Sequence, residues 1–369
     1  MRGTRLQIRP AALAHNAGQA RTLADGAQVF AMIKANGYGH GLTLAADAMA
    51  GQVDGLGVAL MEEARAVREH GAREPILVAE GFFDQEEIAE AARLDVEVVV
   101  HAAWQVALLS KRPAPLGVWL KINTGMNRLG MVPEQAREQA AILRAIPGVR
   151  LLGLMSHFAC ADQQDDPLSE RQLAEVLALS EELLLPVTAA NSAALIRYPA
   201  ARRRRVRPGI MLYGSSPFPW RSASELGLRP TQRFSARLIA VNPIYAGQTV
   251  GYGATWTAPE NGTIGVVAVG YGDGYPRHAP NGTPVAVNGR RTELVGRVSM
   301  DMITVRLDGL EARVGDEVEL WGDTVSVDDV AAACGTISYE LFCQVTSRPE
   351  RVVDAERRTP DAGRQMRSP

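Results

Sequence analysis

Two lysines stand at the ends of short apolar runs, where a primary amine could act as a nucleophile. Lys34 ends the run VFAMIK, and Lys121 lies in GVWLKI. The chain has only three lysines among its 39 basic residues, so arginine carries most of the positive charge. A buried lysine can lose its proton and condense with an aldehyde, which an arginine cannot do. We therefore expect a chemical role for Lys34, whereas Lys111, in the loop-like segment SKRPAP, is expected at the surface.

A second pattern suggests what the lysine binds. Ser192, Gly209 and Ile210 follow two later apolar runs, and a hydroxyl beside glycine-flanked N–H groups can bind a phosphate. For Lys34 taken alone, a buried ion pair with a carboxylate is the simpler interpretation. The scarcity of lysine and the phosphate-binding pattern together favour a phosphorylated aldehyde, which is the chemistry of pyridoxal 5′-phosphate (PLP).

These residues belong to a regular series of apolar runs. Segments with helical apolar spacing, such as MEEARAVREH and PEQAREQAAILRAI, separate the runs. Strands that alternate with helices predict a parallel sheet, and eight units predict a (β/α)8 TIM-type barrel. The eight predicted strands are VFAMIK, GLGVAL, PILVAE, VEVVVH, GVWLKI, LLGLMSHF, PVTAANSA and RVRPGIML.

A barrel of this kind places its active site at the carboxyl ends of its strands. The polar residues of this sequence collect at those ends. They are Lys34 after the first strand, Lys121 at the fifth, His157 at the sixth, Asn191 and Ser192 at the seventh, and Arg207 at the eighth.

The sequence changes character after about residue 230. Segments such as GTIGVVAVGYGDGYP and TPVAVNGRRTELVG are rich in β-formers and interrupted by Gly, Pro and Asn. The NG dipeptide in VAVNGRRTEL predicts a β-hairpin. We predict a barrel over residues 1–230 and a smaller, mostly β C-terminal domain over residues 231–369, with a frayed C-terminal segment RRTPDAGRQMRSP.

Composition excludes several other classes of protein. A formal net charge of −2 gives no general attraction to nucleic acid or to a membrane, and no apolar run is long enough to span a bilayer. The N-terminus, MRGTRLQIRP, has no apolar signal core, and the three cysteines form neither a disulfide framework nor a metal-ligand cluster. We expect a cytoplasmic protein without a metal.

Nine motifs, in order and spread over both predicted domains, resemble those of the alanine racemases. The resemblance implies PLP as cofactor, alanine as substrate, and a homodimer whose active sites use residues of both chains. The motifs are AMIKANGYGHG, LKINTGMNRLG, SHFACAD, NSAA, RVRPGIMLYG, VGYGATWTA, GYGDGYPR, GRVSMDM and TISYE.

The resemblance also implies roles for particular residues. Lys34 would hold PLP covalently, Arg207 would face its pyridine nitrogen, and Tyr252 would be a second base that reaches in from the partner chain. His157 would hydrogen-bond to Tyr252 as part of a cationic network. Arg128 and Met300 would contact the substrate carboxylate, and Tyr271 would line the substrate entrance. The remaining cofactor contacts would be Tyr38, Asn191, Ser192, Gly209, Ile210 and Tyr339.

These roles suit racemisation, which removes a proton from one face of a carbon and returns it to the other. Two opposed bases, Lys34 and Tyr252, avoid moving one base across the substrate. Arg207 cannot accept a proton, so it would leave the cofactor nitrogen unprotonated and limit side reactions. The four arginines before it, at residues 202–205, are expected to form a solvated or interface surface. A packing role in the β domain is the alternative for Tyr252.

Lys121 would experience repulsion if it were buried as a cation near Arg128. In several members of the family the matching lysine is carbamylated, which converts it to an anion, and we take this as a hypothesis for Lys121. A neutral or solvent-linked lysine is the alternative.

Three other activities remain open at this point. A broad-specificity amino-acid racemase would share the architecture but would act outside the cytoplasm. A non-catalytic PLP carrier would consist of a single barrel. An amino-acid decarboxylase would need a glycine triplet at the phosphate loop, which is not seen, and a stronger electron sink than an Arg207 partner allows.

Overall fold

A computed structural model of the chain describes residues 3–354; the C-terminal segment that the sequence predicts to be frayed lies outside the described residues. The N-terminal part alternates strands and helices. Its elements are β1 (Arg5–Ile8), α1 (Pro10–Ala24), β2 (Gln28–Met32), α2 (Lys34–Tyr38), α3 (Leu42–Met49), β3 (Gly55–Val58), α4 (Met61–Glu69), β4 (Ile76–Val78), α5 (Gln85–Leu94), β5 (Glu97–Val100), α6 (Ala103–Lys111), β6 (Gly117–Lys121), α7 (Pro133–Ala145), β7 (Arg150–Met155), α8 (Leu168–Leu183), β8 (Val187–Thr188), α9 (Ser192–Arg197) and β9 (Arg205–Val206).

Strands β2 to β9 form a closed parallel barrel, which confirms the eight predicted strands and the predicted fold class. The barrel closes where β2 pairs with β9, with Gln28 opposite Arg205. Its interior is filled by large side chains rather than by solvent, as in other barrels of this size. This interior layer consists of Phe30, Leu77, Val99, Trp119 and Met155.

Capping and apolar spacing together position helix α5 on the barrel. The carboxylate of Asp84 accepts hydrogen bonds from the N–H groups of Glu86 and Glu87, and so caps the start of α5. The same helix then presents an apolar residue to the core every three positions, which packs it against the barrel. Its buried face consists of Ile88, Ala91 and Leu94.

One arginine of the run 202–205 does not lie on a solvated surface, so that expectation was wrong for Arg205. Its guanidinium lies inside the barrel, 3.5 Å from the centre of the Phe30 ring, and pairs with Glu97. Glu97 also accepts a hydrogen bond from Trp119 at 2.7 Å. Arg205 points inward because it opens β9, and the carboxylate of Glu97 compensates the buried charge.

The C-terminal part is mostly β, as predicted. Its elements are β10 (Gln232–Ile244), β11 (Thr249–Val250), β12 (Trp256–Thr257), β13 (Gly262–Val267), β14 (Pro284–Val287), β15 (Arg290–Glu293), β16 (Ile303–Arg306), β17 (Glu317–Trp321), α10 (Val327–Ala333), α11 (Ser338–Gln344) and β18 (Glu350–Val353). The predicted hairpin joins β14 to β15. Asn288 and Gly289 both have positive φ at its turn, which confirms the NG signal.

The first strand of the chain lies outside the barrel. β1 pairs antiparallel with β10 and parallel with β18, so it belongs to the C-terminal sheet. The described chain therefore begins with a strand of the C-terminal sheet, continues through the barrel, and then forms the rest of that sheet. Because α1 follows β1 directly, this pairing joins the C-terminal sheet to the barrel, and α11 packs separately against α2.

Candidate active site

A cavity of about 440 Å³ opens at the carboxyl ends of the barrel strands, where the sequence places its polar residues. Its volume falls in the range of small-molecule sites. Most of the residues predicted to bind cofactor or substrate line it. Those residues are Lys34, Tyr38, Lys121, Arg128, His157, Asn191, Ser192, Arg207, Gly209, Ile210 and Tyr339.

Lys34 enters the cavity from an unusual turn. The four residues after it, Ala35, Asn36, Gly37 and Tyr38, all have φ between +49° and +60°, so α2 is a turn of left-handed helix. Left-handed conformation costs about 1–2 kcal/mol for each residue that carries a Cβ, so surrounding contacts must hold this turn in place.

The cavity is strongly cationic. Lys34, Lys121, Arg128 and Arg207 line it, whereas the carboxylate among its lining residues is that of Glu80. Burial and then the neighbouring arginines lower the pKa of Lys121 to about 8. Lys111, by contrast, is exposed. The positive lining suits a ligand with more than one negative group, such as a phosphate together with a carboxylate.

One side of the cavity is built to receive an oxygen-rich group. The Ser192 hydroxyl accepts hydrogen bonds from the N–H groups of Gly209, at 2.9 Å, and Met211, at 3.3 Å. No residue between 3 and 354 accepts the Ser192 proton, which remains available to a bound anion. A Cβ on Gly209 would approach the Tyr38 hydroxyl to 2.5 Å, so only glycine allows that phenol to lie there.

Two aromatic rings complete this side. Tyr38 stacks on Tyr213 with ring centres 4.5 Å apart and lies 5.9 Å from Tyr339. Burial raises the pKa of the Tyr38 and Tyr339 phenols, so both keep their protons and can donate hydrogen bonds. Asn191 is also predicted to bind cofactor. Its side-chain oxygen accepts a hydrogen bond from the N–H of Ala194 at the start of α9.

Arg207 is held rigidly at the end of β9. Its guanidinium donates to the Thr188 hydroxyl and to the carbonyl of Ser156, the latter at 2.7 Å. Burial and the charge of Arg205 lower the pKa of Arg207 to about 9, so the group stays charged at neutral pH. No carboxylate within the described chain forms an ion pair with it. This geometry suits a neutral acceptor, such as an unprotonated ring nitrogen, in the cavity.

His157 differs from the expectation of a cationic network. Its ring is partly buried, and burial, followed by the charges of Arg207 and Lys121, lowers its pKa to about 3. The imidazole is therefore neutral at pH 7, and only the arginines and lysines around it carry charge. Across residues 3–354, its ring nitrogens form no hydrogen bond, which leaves them available to a group from outside this chain.

Comparison with known proteins agrees with this geometry. Family models for the alanine racemase N-terminal and C-terminal domains match residues 8–217 and 231–353. The alanine racemase of Alcanivorax borkumensis is 66% identical over 96% of this chain and 100% of that protein. The chain belongs to the alanine racemase family. The predicted family membership is thereby confirmed.

Solved structures of family members extend the likeness to the whole fold. The biosynthetic alanine racemase of Pseudomonas aeruginosa superposes with a TM-score of 0.93 at 48% identity, covering 96% of this chain and 100% of that one. The alanine racemase of Acinetobacter baumannii gives 0.90 at 39% identity, with 96% and 100% covered. The C-terminal domain also argues against a cofactor carrier built from a single barrel.

Three residues expected to act in alanine racemase chemistry lie outside the cavity. Tyr252, Met300 and Tyr271 are 70%, 53% and 39% exposed on the C-terminal domain. The segment at residues 297–301 connects them. Tyr271 donates its N–H to the carbonyl of Ser299, and a Cβ on Gly253 would lie 3.2 Å from Arg297. These contacts join the chain segments that carry the three exposed side chains, none of which lines the cavity that contains Lys34.

Two titratable residues of the alanine racemase cavity, Glu80 and Cys343, were not predicted from the sequence. Glu80 follows β4, so the rule that selected Lys34 and His157 at strand ends would have found it in PILVAE. Cys343 lies on α11 in the C-terminal domain, one turn after Tyr339; the resemblance gave a cofactor contact to Tyr339 but no role to Cys343.

Within residues 3–354, no helix is both long enough and apolar enough to cross a bilayer. In the same part of the chain, no three His, Cys, Asp or Glu side chains are grouped as metal ligands.

Proposed function

We propose that this member of the alanine racemase family interconverts L-alanine and D-alanine with PLP bound to Lys34. The observation that carries the proposal is that Lys34 lines a cationic cavity together with the hydroxyl of Ser192 and the backbone of Gly209. When bound, PLP supplies an electron sink that acidifies the Cα–H bond of an amino acid.

The residues of the cavity would divide the work of binding. Ser192, Tyr38, Tyr339 and the backbone at Gly209 and Ile210 would hold the phosphate. Arg207 would donate a hydrogen bond to the ring nitrogen and keep it unprotonated, because a guanidinium has no acceptor atom for the N–H of a protonated ring nitrogen. Arg128, an exposed cation at the cavity mouth, would orient the substrate carboxylate.

Proton transfer would use one base on each face of the substrate. The Nζ of Lys34 would take or return the proton on one face. The phenol of Tyr252 from a second copy of the chain would serve the other face, because Tyr252 lies on a surface away from its own cavity. Neutral His157, which lines the cavity, would hydrogen-bond to that phenol, and the surrounding cations would stabilise the phenolate.

This arrangement requires a homodimer with shared active sites. The division at residue 230 would separate residues 1–230, which build the PLP-binding barrel and contribute β1 to the C-terminal sheet, from a domain, residues 231–369, that completes the partner's site with Tyr252, Met300 and Tyr271. Similar proteins of Pseudomonas aeruginosa are named biosynthetic, which favours supply of D-alanine for peptidoglycan over alanine catabolism. We place this function in the cytoplasm.

A substrate-panel assay tests the proposed activity. Purified chain with added PLP is incubated with single enantiomers of alanine, serine, leucine, lysine and arginine, and racemisation is followed by chiral chromatography. We expect alanine to react fastest, by about 10-fold or more in kcat/KM over the bulky substrates, because a pocket selects by size. Comparable rates on the bulky amino acids would instead support a broad-specificity racemase, and no racemisation of any substrate would overturn the proposal.

Lys121 is proposed to carry a carbamate. With a pKa of about 8, roughly a tenth of its amine is neutral at pH 7, far more than for a free lysine, and only the neutral amine reacts with carbon dioxide. Occupancy should therefore rise as the pH increases from 7 towards 8. Intact-mass spectrometry in bicarbonate should show one carbon dioxide added, and acidification should remove it. An unchanged mass, or an adduct that persists in Lys121→Arg, would exclude this site.

A further inference from the structure

The left-handed turn after Lys34 is held by a carboxylate that lies outside the cavity lining. The N–H of Ala35, the residue after the lysine, donates to Oε1 of Glu63 at 2.7 Å. Glu63 lies in the first turn of α4, which follows the neighbouring barrel strand β3. One carboxylate therefore joins the loops at the ends of two adjacent strands.

Ordinary helix capping explains only half of this arrangement. The second oxygen of Glu63, Oε2, accepts the N–H groups of Ala59, at 2.8 Å, and Leu60, at 3.3 Å, at the start of α4. Those bonds satisfy the free donors of the helix start, as a glutamate at this position commonly does. The bond from Oε1 to Ala35 adds nothing to α4 and acts only on the lysine turn.

The turn needs such a contact because its own conformation is unfavourable. Ala35 and Asn36 have φ of 53° and 54°, a region that residues with a Cβ avoid. The turn has other supports. Asn36 accepts the N–H of Leu42 at 2.9 Å, and His40 hydrogen-bonds to the carbonyl of Tyr38 at 2.9 Å. Backbone bonds also span the turn, from the N–H of Gly37 to the carbonyl of Ile33 at 2.8 Å and from Gly39 to Ala35 at 3.0 Å. Glu63 adds a side-chain bond to the peptide N–H next to Lys34.

We propose that Glu63 is a positioning residue that keeps the Lys34 turn in its left-handed conformation, so that the amine and Tyr38 face the cofactor site before PLP binds. The inference rests on the proposed attachment of PLP to Lys34. Without the bond from Oε1, the apo turn would sample right-handed conformations in which Lys34 and Tyr38 no longer face the cavity together. PLP would then have to reorder the turn on binding, which lowers its affinity.

Three variants separate this role from charge and from capping. Glu63→Gln preserves size but offers one acceptor oxygen instead of two. Glu63→Asp preserves the charge, but its shorter side chain cannot reach both α4 and Ala35. Glu87→Gln is the matched control, because Glu87 has the same position in the next helix, α5, and accepts the N–H of Phe83 at 2.6 Å without contact to the lysine turn.

The measurements are PLP binding to each apo-protein, followed by the absorbance of lysine-bound cofactor, and hydrogen exchange at Ala35 in the apo state. We expect both Glu63 variants to bind PLP about 10-fold more weakly and to exchange faster at Ala35, with Glu87→Gln unchanged. Weaker binding should also appear as lost activity that excess PLP restores. If Glu63→Gln does not fold, Glu63→Asp carries the test.

Each alternative result overturns a different statement. Wild-type affinity and exchange in the folded Glu63 variant would exclude the positioning role. If Glu63→Asp bound PLP with wild-type affinity while Glu63→Gln bound it weakly, the charge of residue 63 would matter and the bond to Ala35 would not. An equal loss in Glu87→Gln would reduce the effect to helix capping. If the wild-type chain showed no absorbance of lysine-bound PLP, the proposed function itself would be refuted.

Discussion

Replacing Lys34 with alanine should abolish both the absorbance of lysine-bound PLP and the racemisation of alanine. Lys34 lies two residues after the end of β2 and lines the cavity. The proposed function assigns it both cofactor attachment and one proton transfer. Loss of a covalent attachment and of a positioned base should reduce kcat by at least about 10³-fold. Absorbance spectra and a chiral assay with saturating PLP measure the two effects separately.

Lys111→Ala is the control for the loss of a lysine. Lys111 ends α6 at the exposed surface, so its removal should leave absorbance and kcat unchanged. If Lys34→Ala kept the absorbance of lysine-bound PLP, the cofactor would be attached to a different lysine. Lys121 also lines the cavity and would be the candidate. Full activity in Lys34→Ala would contradict the proposed mechanism outright.

The barrel was predictable because each of its parts obeys a local rule. Short apolar runs separated by amphipathic segments predict parallel strands, and the structure closes all eight into one barrel. The rule that barrel chemistry lies at strand ends then selects Lys34, Lys121, His157 and Arg207, all of which line one cavity. Neither step needs information about distant contacts.

Features that depend on pairing between distant segments were not predictable in this way. The pairing of β1 with β10 and β18 joins residues more than two hundred positions apart, and no local pattern marks it. Arg205 stands in a run of arginines that is typical of a surface. Its burial was not predictable, because its partner, Glu97, lies on a strand four places away around the barrel. The neutral state of His157 likewise follows from burial among cations from several strands.

Tyr252 differs from the other predicted catalytic residues, because it lies on the surface of its own chain rather than in the cavity. The motif VGYGAT suggests an exposed tyrosine between two glycines, and Tyr252 is 70% exposed in the structure. One chain alone therefore holds Lys34, the first proposed base, in its cavity and carries Tyr252, the second, on its surface. A second chain is the simplest way to bring the two together.

Tyr252→Phe should lower kcat by about 10²-fold or more, because it removes the second base while leaving every cavity residue of its own chain in place. Lysine-bound absorbance should persist, in contrast to Lys34→Ala. Tyr245→Phe is the matched control, since Tyr245 is another exposed tyrosine of the C-terminal domain, at 57%, and has no proposed role. An unchanged kcat in Tyr252→Phe would remove the tyrosine from the mechanism.

A mixed dimer then decides whether the two bases come from different chains. Lys34→Ala and Tyr252→Phe chains, coexpressed with different affinity tags and purified as the heterodimer, combine two inactive subunits. If each site takes Lys34 from one chain and Tyr252 from the other, one site is intact and the second lacks both bases. The heterodimer should then recover about half of the wild-type activity per dimer. If both bases act within one chain, each site still lacks one of them, and the heterodimer should remain as inactive as its parents.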